Sequence, residues 1–448
     1  MKKRFRTRAA GRRISGVLAL AAVFFPLTLV AQENLLTLEE AVKLALQQNE
    51  RALIAGEQLM ASQARVTRAR AAFLPTASAS STYTRRPFEV TRLVGGVNIV
   101  VQSYNALSGV GSVNMSLFDA RSIPAFNQAR ADRTAQEFAS AESRRQLSFE
   151  VGQAFLMTLS TGQVLEASKH RYDYAKQNLD AAKARYAAGL VSVNDVTRAE
   201  LEFASAEMSV IQGQGQTETT VLQFGDLLNE PSAAKKNLVI PEFLISGESG
   251  RFQDTETLIE EAQIRRLDLN VLRWKAKSQR ASLLEPTLKW FPSLSFNSRW
   301  TYTNEAGLTG KNWNWNLGLT LSWSVFDGFV RNADYRERKA LTRIADLDVQ
   351  AALRGVDIEV REAQVSLDSQ KAAVKQAQVA LDVARRNAAE TSELYRQGLA
   401  TALQVADANV RLFEAEVAQV RQRFNLAISF LNLEAALGLD PFGKEPIR

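Results

Sequence analysis

Residues with the widest chemical reach are scarce in this chain, which has no cysteine and a single histidine, His170. Thiolate metal sites and disulfides are therefore excluded, and clusters of imidazole ligands cannot be built. A serine–histidine–aspartate device would have to use His170 as its base. That residue sits in Ala167-Ser168-Lys169-His170-Arg171, inside a long helical run and beside two cations, and reads as a solvated helix position. No glycine-rich phosphate loop or metal-ligand spacing is visible, so the sequence describes no enzyme and needs no cofactor. The polar residues that remain of interest flank two short turns. Gly189-Leu190 precedes Ser192 and Asp195, and Gly398-Leu399 precedes Thr401, Gln404 and Asp407. Ser192-x-x-Asp195 and Thr401-x-x-Gln404 fit a capping box, in which the hydroxyl takes the N3 amide and the N3 side chain reaches back. Such a cap contributes about 1 kcal/mol. Asp195 equally suits a ring of carboxylates if symmetry copies converge on an axis. Gly189 and Gly398 have the plain role of ending a helix in the left-handed conformation.

The elements that carry these turns come in duplicate. Phe73-Leu74-Pro75 leading to Tyr83-Thr84 is echoed by Phe291-Pro292 leading to Tyr302-Thr303, and Phe118-Asp119 by Phe326-Asp327 at an offset of 208. Arg185-Tyr186-Ala187-Ala188-Gly189-Leu190 is echoed by Leu394-Tyr395-Arg396-Gln397-Gly398-Leu399 at an offset of 209. Self-similarity of this kind decides the architecture before any local reading. The chain divides into a first repeat over 32–231, a polar linker over 232–254, a second repeat over 255–441 and a tail over 442–448. Each repeat has an amphipathic helical stretch (37–72; 257–284), two strands (75–86 and 108–119; 292–304 and 312–326) and two long helices (122–188 and 193–229; 330–397 and 402–438).

Heptads identify the long helices. One seam runs Leu353, Val360, Leu367, Val374, Leu381, Ala388, Tyr395, with a companion Val356, Ala363, Gln370, Ala377, Ala384, Thr391. Shifted by 209, the register gives Val151, Thr158, Leu165, Tyr172, Leu179, Tyr186. Large residues facing small ones over so many heptads predict coiled-coil packing. The helix over 330–397 would be about 100 Å long at 1.5 Å per residue, which suits a rod or a wall. The return helix of the first repeat is expected to be interrupted at Gly213 and Gly215, each costing about 1 kcal/mol of helix propensity.

Charge adds an address. Of 55 Lys and Arg, seven lie in the first 31 residues, which hold no Asp or Glu; without them 48 basic residues face 48 acidic ones. A basic start, an apolar run over 14–30 and Ala31 at the break describe a signal peptide over 1–31. The net charge of +7 thus belongs to the leader and indicates no nucleic-acid partner.

The strands decide what the helices serve. Over 313–325, Trp313, Trp315, Leu317, Leu319, Leu321, Trp323 and Val325 alternate with uncharged polar residues and Gly318 for 13 residues, a strong period-2 signal. Tilted by roughly 45°, such a strand crosses the apolar band of an outer membrane, and tryptophans near both ends match aromatic girdles. A strand of a soluble sandwich would show the same pattern. Four strands per chain leave two open edges, which hydrocarbon does not tolerate, so the membrane reading requires closure with other chains. Three chains would supply twelve strands, although two or four would satisfy the same rule.

These features resemble the TolC-type outer-membrane efflux proteins. The likeness is carried by Leu36-Thr37-Leu38-Glu39-Glu40-Ala41-Val42, by Ser116-Leu117-Phe118-Asp119 and Ser324-Val325-Phe326-Asp327-Gly328, and above all by 185–196 around Gly189-Leu190. The resemblance implies an α+β membrane protein that trimerises into a 12-stranded β-barrel, continued by a 12-helix periplasmic α-barrel. It implies passive conduction of solutes, with the Gly-Leu turns (Gly189, Leu190, Ser192; Gly398, Leu399, Thr401) docking a periplasmic adaptor, or membrane fusion protein. Energy would come from an inner-membrane transporter of the RND, ABC or MFS class, and Trp313 to Trp323 would face outer-membrane lipid. Asp195 and Asp407 match family positions where acidic side chains ring the aperture. Gln404 stands where the founding members have another acid, and Ala400 where they have an arginine, so the complete charged lock does not carry over. The rival reading, a soluble periplasmic coiled-coil adaptor or scaffold, uses the helices but leaves Trp313, Trp315 and Trp323 without lipid to face.

Overall fold

The computed structural model describes residues 35–245, 254–306 and 310–446. The expected signal peptide lies outside them, as do residues 246–253 of the expected linker and the last two residues of the tail. The first half of the chain runs β1 (Leu35–Leu36), α1 (Leu38–Gln48), α2 (Glu50–Ala71), β2 (Thr76–Arg85), β3 (Val90–Val94), β4 (Val97–Gln102), β5 (Asn105–Phe118), α3 (Ser122–Ala187) and α4 (Val193–Leu228). It continues with β6 (Asn237–Leu238), α5 (Glu242–Ile245), α6 (Thr255–Arg265), α7 (Leu267–Leu288), β7 (Ser293–Thr303), β8 (Trp313–Ser322), α8 (Val330–Arg396) and α9 (Ala402–Ala436).

Each repeat opens with two helices where the hydrophobic pattern suggests one. Asn49 takes an extended conformation between α1 and α2, accepts a bond from the Arg51 amide at 2.9 Å, and donates from Nδ2 to the Leu227 carbonyl at 3.0 Å. Arg266 breaks the second repeat in the same way, with ψ at 122°. Its guanidinium bonds Asp268 at 2.7 Å, pairs with Glu359 and reaches the Ala436 carbonyl. Asn49 restores one backbone bond at its break, through the Arg51 amide, while Arg266 is held by side chains and a carbonyl of other elements, so periodicity alone reveals neither break.

α3 and α8, of 66 and 67 residues, each extend about 100 Å. Both α8 seams are buried or half-buried along their whole length. In α3 the seam is covered from Val151 to Leu179 but emerges at Tyr186, which is 49% exposed. Contrary to expectation, α4 runs unbroken through Gly213 and Gly215. A Cβ on Gly213 would lie 3.2 Å from Leu165 Cδ1; the glycine lets α4 approach α3 closely, and the contact offsets its poor helix propensity.

The core is a belt where the chain ends meet the middles of the long helices. Phe155 of α3 and Phe224 of α4 meet edge-on at 5.8 Å, both fully buried among Leu147, Leu156, Leu228 and Leu431. β1 joins β6 in parallel across this belt. Arg145, itself buried, is held by Glu142 and donates to the carbonyls of Ala435 and Leu439 at the end of α9.

At the N-terminal ends of α3 and α8 lies one antiparallel sheet in the order β2-β5-β7-β8. Trp300 opposes Trp315 and Gly111; Phe296 opposes Leu319 and Met115. One face is thus aromatic and aliphatic, thinning to Ala77, Ala79 and Ser81 on β2. The other holds mainly Ser, Thr and Asn, together with Arg299, and the Ser78 and Ser112 hydroxyls are bonded at 2.8 Å. β8 ends at Ser322, three residues short of the alternating pattern; Trp323 lies beyond it and donates from Nε1 to the Trp290 carbonyl at 3.1 Å. The β3–β4 hairpin is a feature the pattern reading missed. It turns on Gly95 and Gly96, both at positive φ, the two-residue arrangement that matches strand twist.

Leu319 is 68% exposed near the middle of the apolar face. Leu319→Arg should impair barrel assembly at a cost of about 2 to 4 kcal/mol for a midplane arginine. Recovery of that variant at wild-type levels in the folded, membrane-inserted fraction would show that this face does not meet lipid.

Candidate functional site

Two places concentrate the residues singled out from sequence: the Gly-Leu turns at the far end of the helices, and the sheet at the near end. The turns are built alike. α3 closes with the Leu190 amide on the Arg185 carbonyl and the Gly189 amide on the Tyr186 carbonyl, both at 2.9 Å. α8 closes with Leu399 on Leu394 at 2.8 Å and Gly398 on Tyr395 at 3.1 Å. These paired bonds require a left-handed residue after the helix, and Gly189 and Gly398 supply it at φ 72° and 79°. Leu190 and Leu399, next along the chain, are each 73% exposed.

The return helices start on caps. The Asp195 carboxylate accepts from the Ser192 amide at 3.0 Å and its hydroxyl at 2.9 Å. In the second repeat the Thr401 amide donates to Gln404 Oε1 at 2.8 Å, while the Gln404 amide donates to Thr401 Oγ1 at 3.3 Å. Asp407 is held within its own helix by Arg411 at 2.9 Å. That hydrogen bond, and then the carboxylate's charge, raise the Arg411 guanidinium above its ordinary pKa. Of the three expected aperture residues, Asp195 lines a cleft between the two hairpins with Asn178, Arg198, Glu202, Tyr395 and Val405. Gln404 and Asp407 are exposed and do not line it.

Three arginines to which the sequence alone gives no role organise this end. Arg185 stacks over the Tyr395 ring at 4.4 Å, and Arg171 over Phe413 at 4.9 Å. Arg171 also bonds Glu202 at 2.9 Å and the hydroxyls of Ser205 and Ser209 at 3.1 Å. Planar guanidinium groups suit such simultaneous stacking and hydrogen bonding. Arg411 was detectable as the fourth residue after Asp407; the other two join segments distant in sequence and left no local signal. His170 is exposed on α3.

On β8, Trp313, Trp315, Leu317, Leu319 and Leu321, and Trp323 just past its end, are all more than half exposed. An apolar band this continuous indicates a membrane or protein partner.

The outer membrane efflux protein family model matches residues 41–230 and 258–439, one match for each repeat, and the chain belongs to that family. It is 23% identical to the outer membrane protein TolC of Vibrio cholerae over 386 residues, covering 83% of this chain and 84% of that protein. Its fold superimposes on a membrane protein from Pseudomonas aeruginosa with a TM-score of 0.76 at 19% identity, over 92% of this chain and 91% of that one. The Campylobacter jejuni CmeC outer membrane channel gives a TM-score of 0.77 at 16% identity, over 92% and 87%. The protein is therefore an outer-membrane efflux channel, with its helical hairpins in the periplasm. It is a passive channel and not an enzyme, and the soluble-adaptor alternative is set aside.

Arg171→Ala would leave Glu202, whose side chain is 17% exposed, without its guanidinium partner. Removing one member of a sequestered pair costs about 3 kcal/mol. Amide exchange in α4 should accelerate while the sheet stays protected; equal protection of α4 in both proteins would refute the assignment.

Proposed function

We propose that three copies of this chain form an exit duct, with a 12-stranded barrel in the outer membrane and a 12-helix tunnel across the periplasm. The observation that carries this reading is the four-stranded sheet itself. Its end strands are paired on one side only, β2 with β5 and β8 with β7, so that among the described residues their outer edges are unpaired within the chain, while its apolar face is exposed. Backbone groups in hydrocarbon must be paired, and a neighbour's β8 against β2 pairs both edges. Three copies give an even-numbered barrel within the range of known ones. The two repeats then contribute alternate pairs of strands and alternate helical hairpins to one wall, and the signal peptide directs the chain to export.

The turns form the periplasmic tip. Gly189, Leu190, Ser192, Gly398, Leu399 and Thr401 dock the adaptor protein, the exposed leucines supplying apolar contact. An inner-membrane transporter behind the adaptor provides the energy. Asp195 contributes to the aperture as well as capping α4. Asp407 does so with its charge largely compensated by Arg411, and Gln404 serves only as a cap.

Reconstitution in planar bilayers tests the assembly: trimeric particles that open pores are expected, and a monomer without conductance would sink the proposal. At the tip, replacing Ser192 and Thr401 together by alanine removes two caps of about 1 kcal/mol each. The double variant should still assemble but show higher closed-state conductance and weaker adaptor crosslinking. Both quantities at wild-type values would count against the tip assignment.

A further inference from the structure

The polar face of the sheet carries one charge. Arg299 lies in β7 on the face that includes Asn297 and Thr301, opposite Ser112 of β5 on one side and Asn316 of β8 on the other. β2, β5, β7 and β8 contain no aspartate or glutamate. Their only other charged residue, Arg85, ends β2 in register with Asn105, on the same face as Tyr83, and bonds the Asn105 amide oxygen at 3.2 Å. Arg299 is exposed. By contrast, the carboxylates just beyond the strands are engaged: Glu305 with Arg86, Asp119 with Arg121 and Asp327 with Arg331. A buried or neutralised arginine would need no explanation. An exposed one on an otherwise uncharged polar wall places a fixed positive charge where solute passes.

We infer that Arg299 is a specificity-determining residue: three copies form a guanidinium ring inside the barrel that favours anionic solutes over cationic ones. This rests on the trimeric barrel proposed above. Twelve strands about 4.8 Å apart and tilted by roughly 45° enclose a backbone radius of about 13 Å. The arginine stem carries its charge inward from that wall, so at this depth the lumen lies within about one Debye length of the ring at 0.1 M salt. A channel lined by charge of one sign within low-dielectric walls concentrates counter-ions. The guanidinium remains charged at any working pH and presents planar paired donors, which suit carboxylate, phosphate and sulfonate groups. The ring therefore acts on cargo class, whereas the tip residues act on opening.

The absence of cysteine makes the test clean. Reversal potentials are measured in a KCl gradient at a mean ionic strength of about 0.1 M for the wild-type channel, Arg299→Gln and Arg299→Cys. The anion-to-cation permeability ratio should fall in both variants. Labelling Arg299→Cys with a trimethylammonium methanethiosulfonate should restore it, and a sulfonate reagent should drive it toward cations. Pores of normal conductance whose ratio is the same in all three proteins, labelled or not, would overturn the ring while leaving the barrel intact. Failure of the wild type to form pores at all would overturn the barrel, and the ring with it.

Discussion

Hydrocarbon offers a peptide group no hydrogen-bond partner, and the architecture follows from that deficit. A four-stranded sheet can bury its ladder bonds between neighbours but not at β2 and β8. The apolar face cannot be covered within the chain, because the helices leave the sheet at one end instead of folding back across it. On β5, Gly109 lies beside Tyr302 and Gly111 beside Trp300, with Ala79 of β2 next in the row of Trp300. Trp300 stays exposed beside this small-residue row, and Tyr302 packs against the Trp313 ring at 5.1 Å. Closure by further copies, as proposed, pairs the edges, and the apolar face then turns outward to lipid.

The belt solves a second problem, that of holding helices of about 100 Å in register. Coiled-coil seams tolerate sliding by whole heptads, so something else must fix where each helix sits. Arg145 gathers the end of α9 through two carbonyls, and Arg266 ties the break before α7 to α8 and to the same end of α9. Arg145 is buried together with Glu142, whereas Arg266 is buried and its partners Asp268 and Glu359 stand at the edge of the core, their side chains partly exposed. Interior ion pairs of this kind contribute more to unique placement than to net stability.

Much of this was legible in the sequence because long-range order repeats there. Heptads fixed the helices α3 and α8 to within a residue or two, and alternation revealed the apolar face of β8. The errors arose where one residue's side chain outweighs the periodic signal. Asn49 splits a helix by capping α2 with its own side chain, and Arg266 splits another while tied to Asp268, Glu359 and the end of α9. Gly213 stays helical because α3 needs the space, and the Gly95-Gly96 hairpin was overlooked although its turn pair is a recognised signal. At the tip, the capping residues were readable from local spacing. Arg171 and Arg185 were not, since their partners Phe413 and Tyr395 lie more than two hundred residues away.

The near-equal lengths of α3 and α8, 66 and 67 residues, make the protein a molecular ruler. Both hairpins begin at one sheet and end in matching turns, so the reach of the channel is counted twice within a single polypeptide. Lengthening one repeat alone would leave a step in the tunnel rim and strand the apolar seam of the longer hairpin. A longer or shorter duct therefore requires matched insertions in both halves, in units of seven residues or about 10.5 Å of rise. Duplication thereby couples the span of the channel to a paired genetic change.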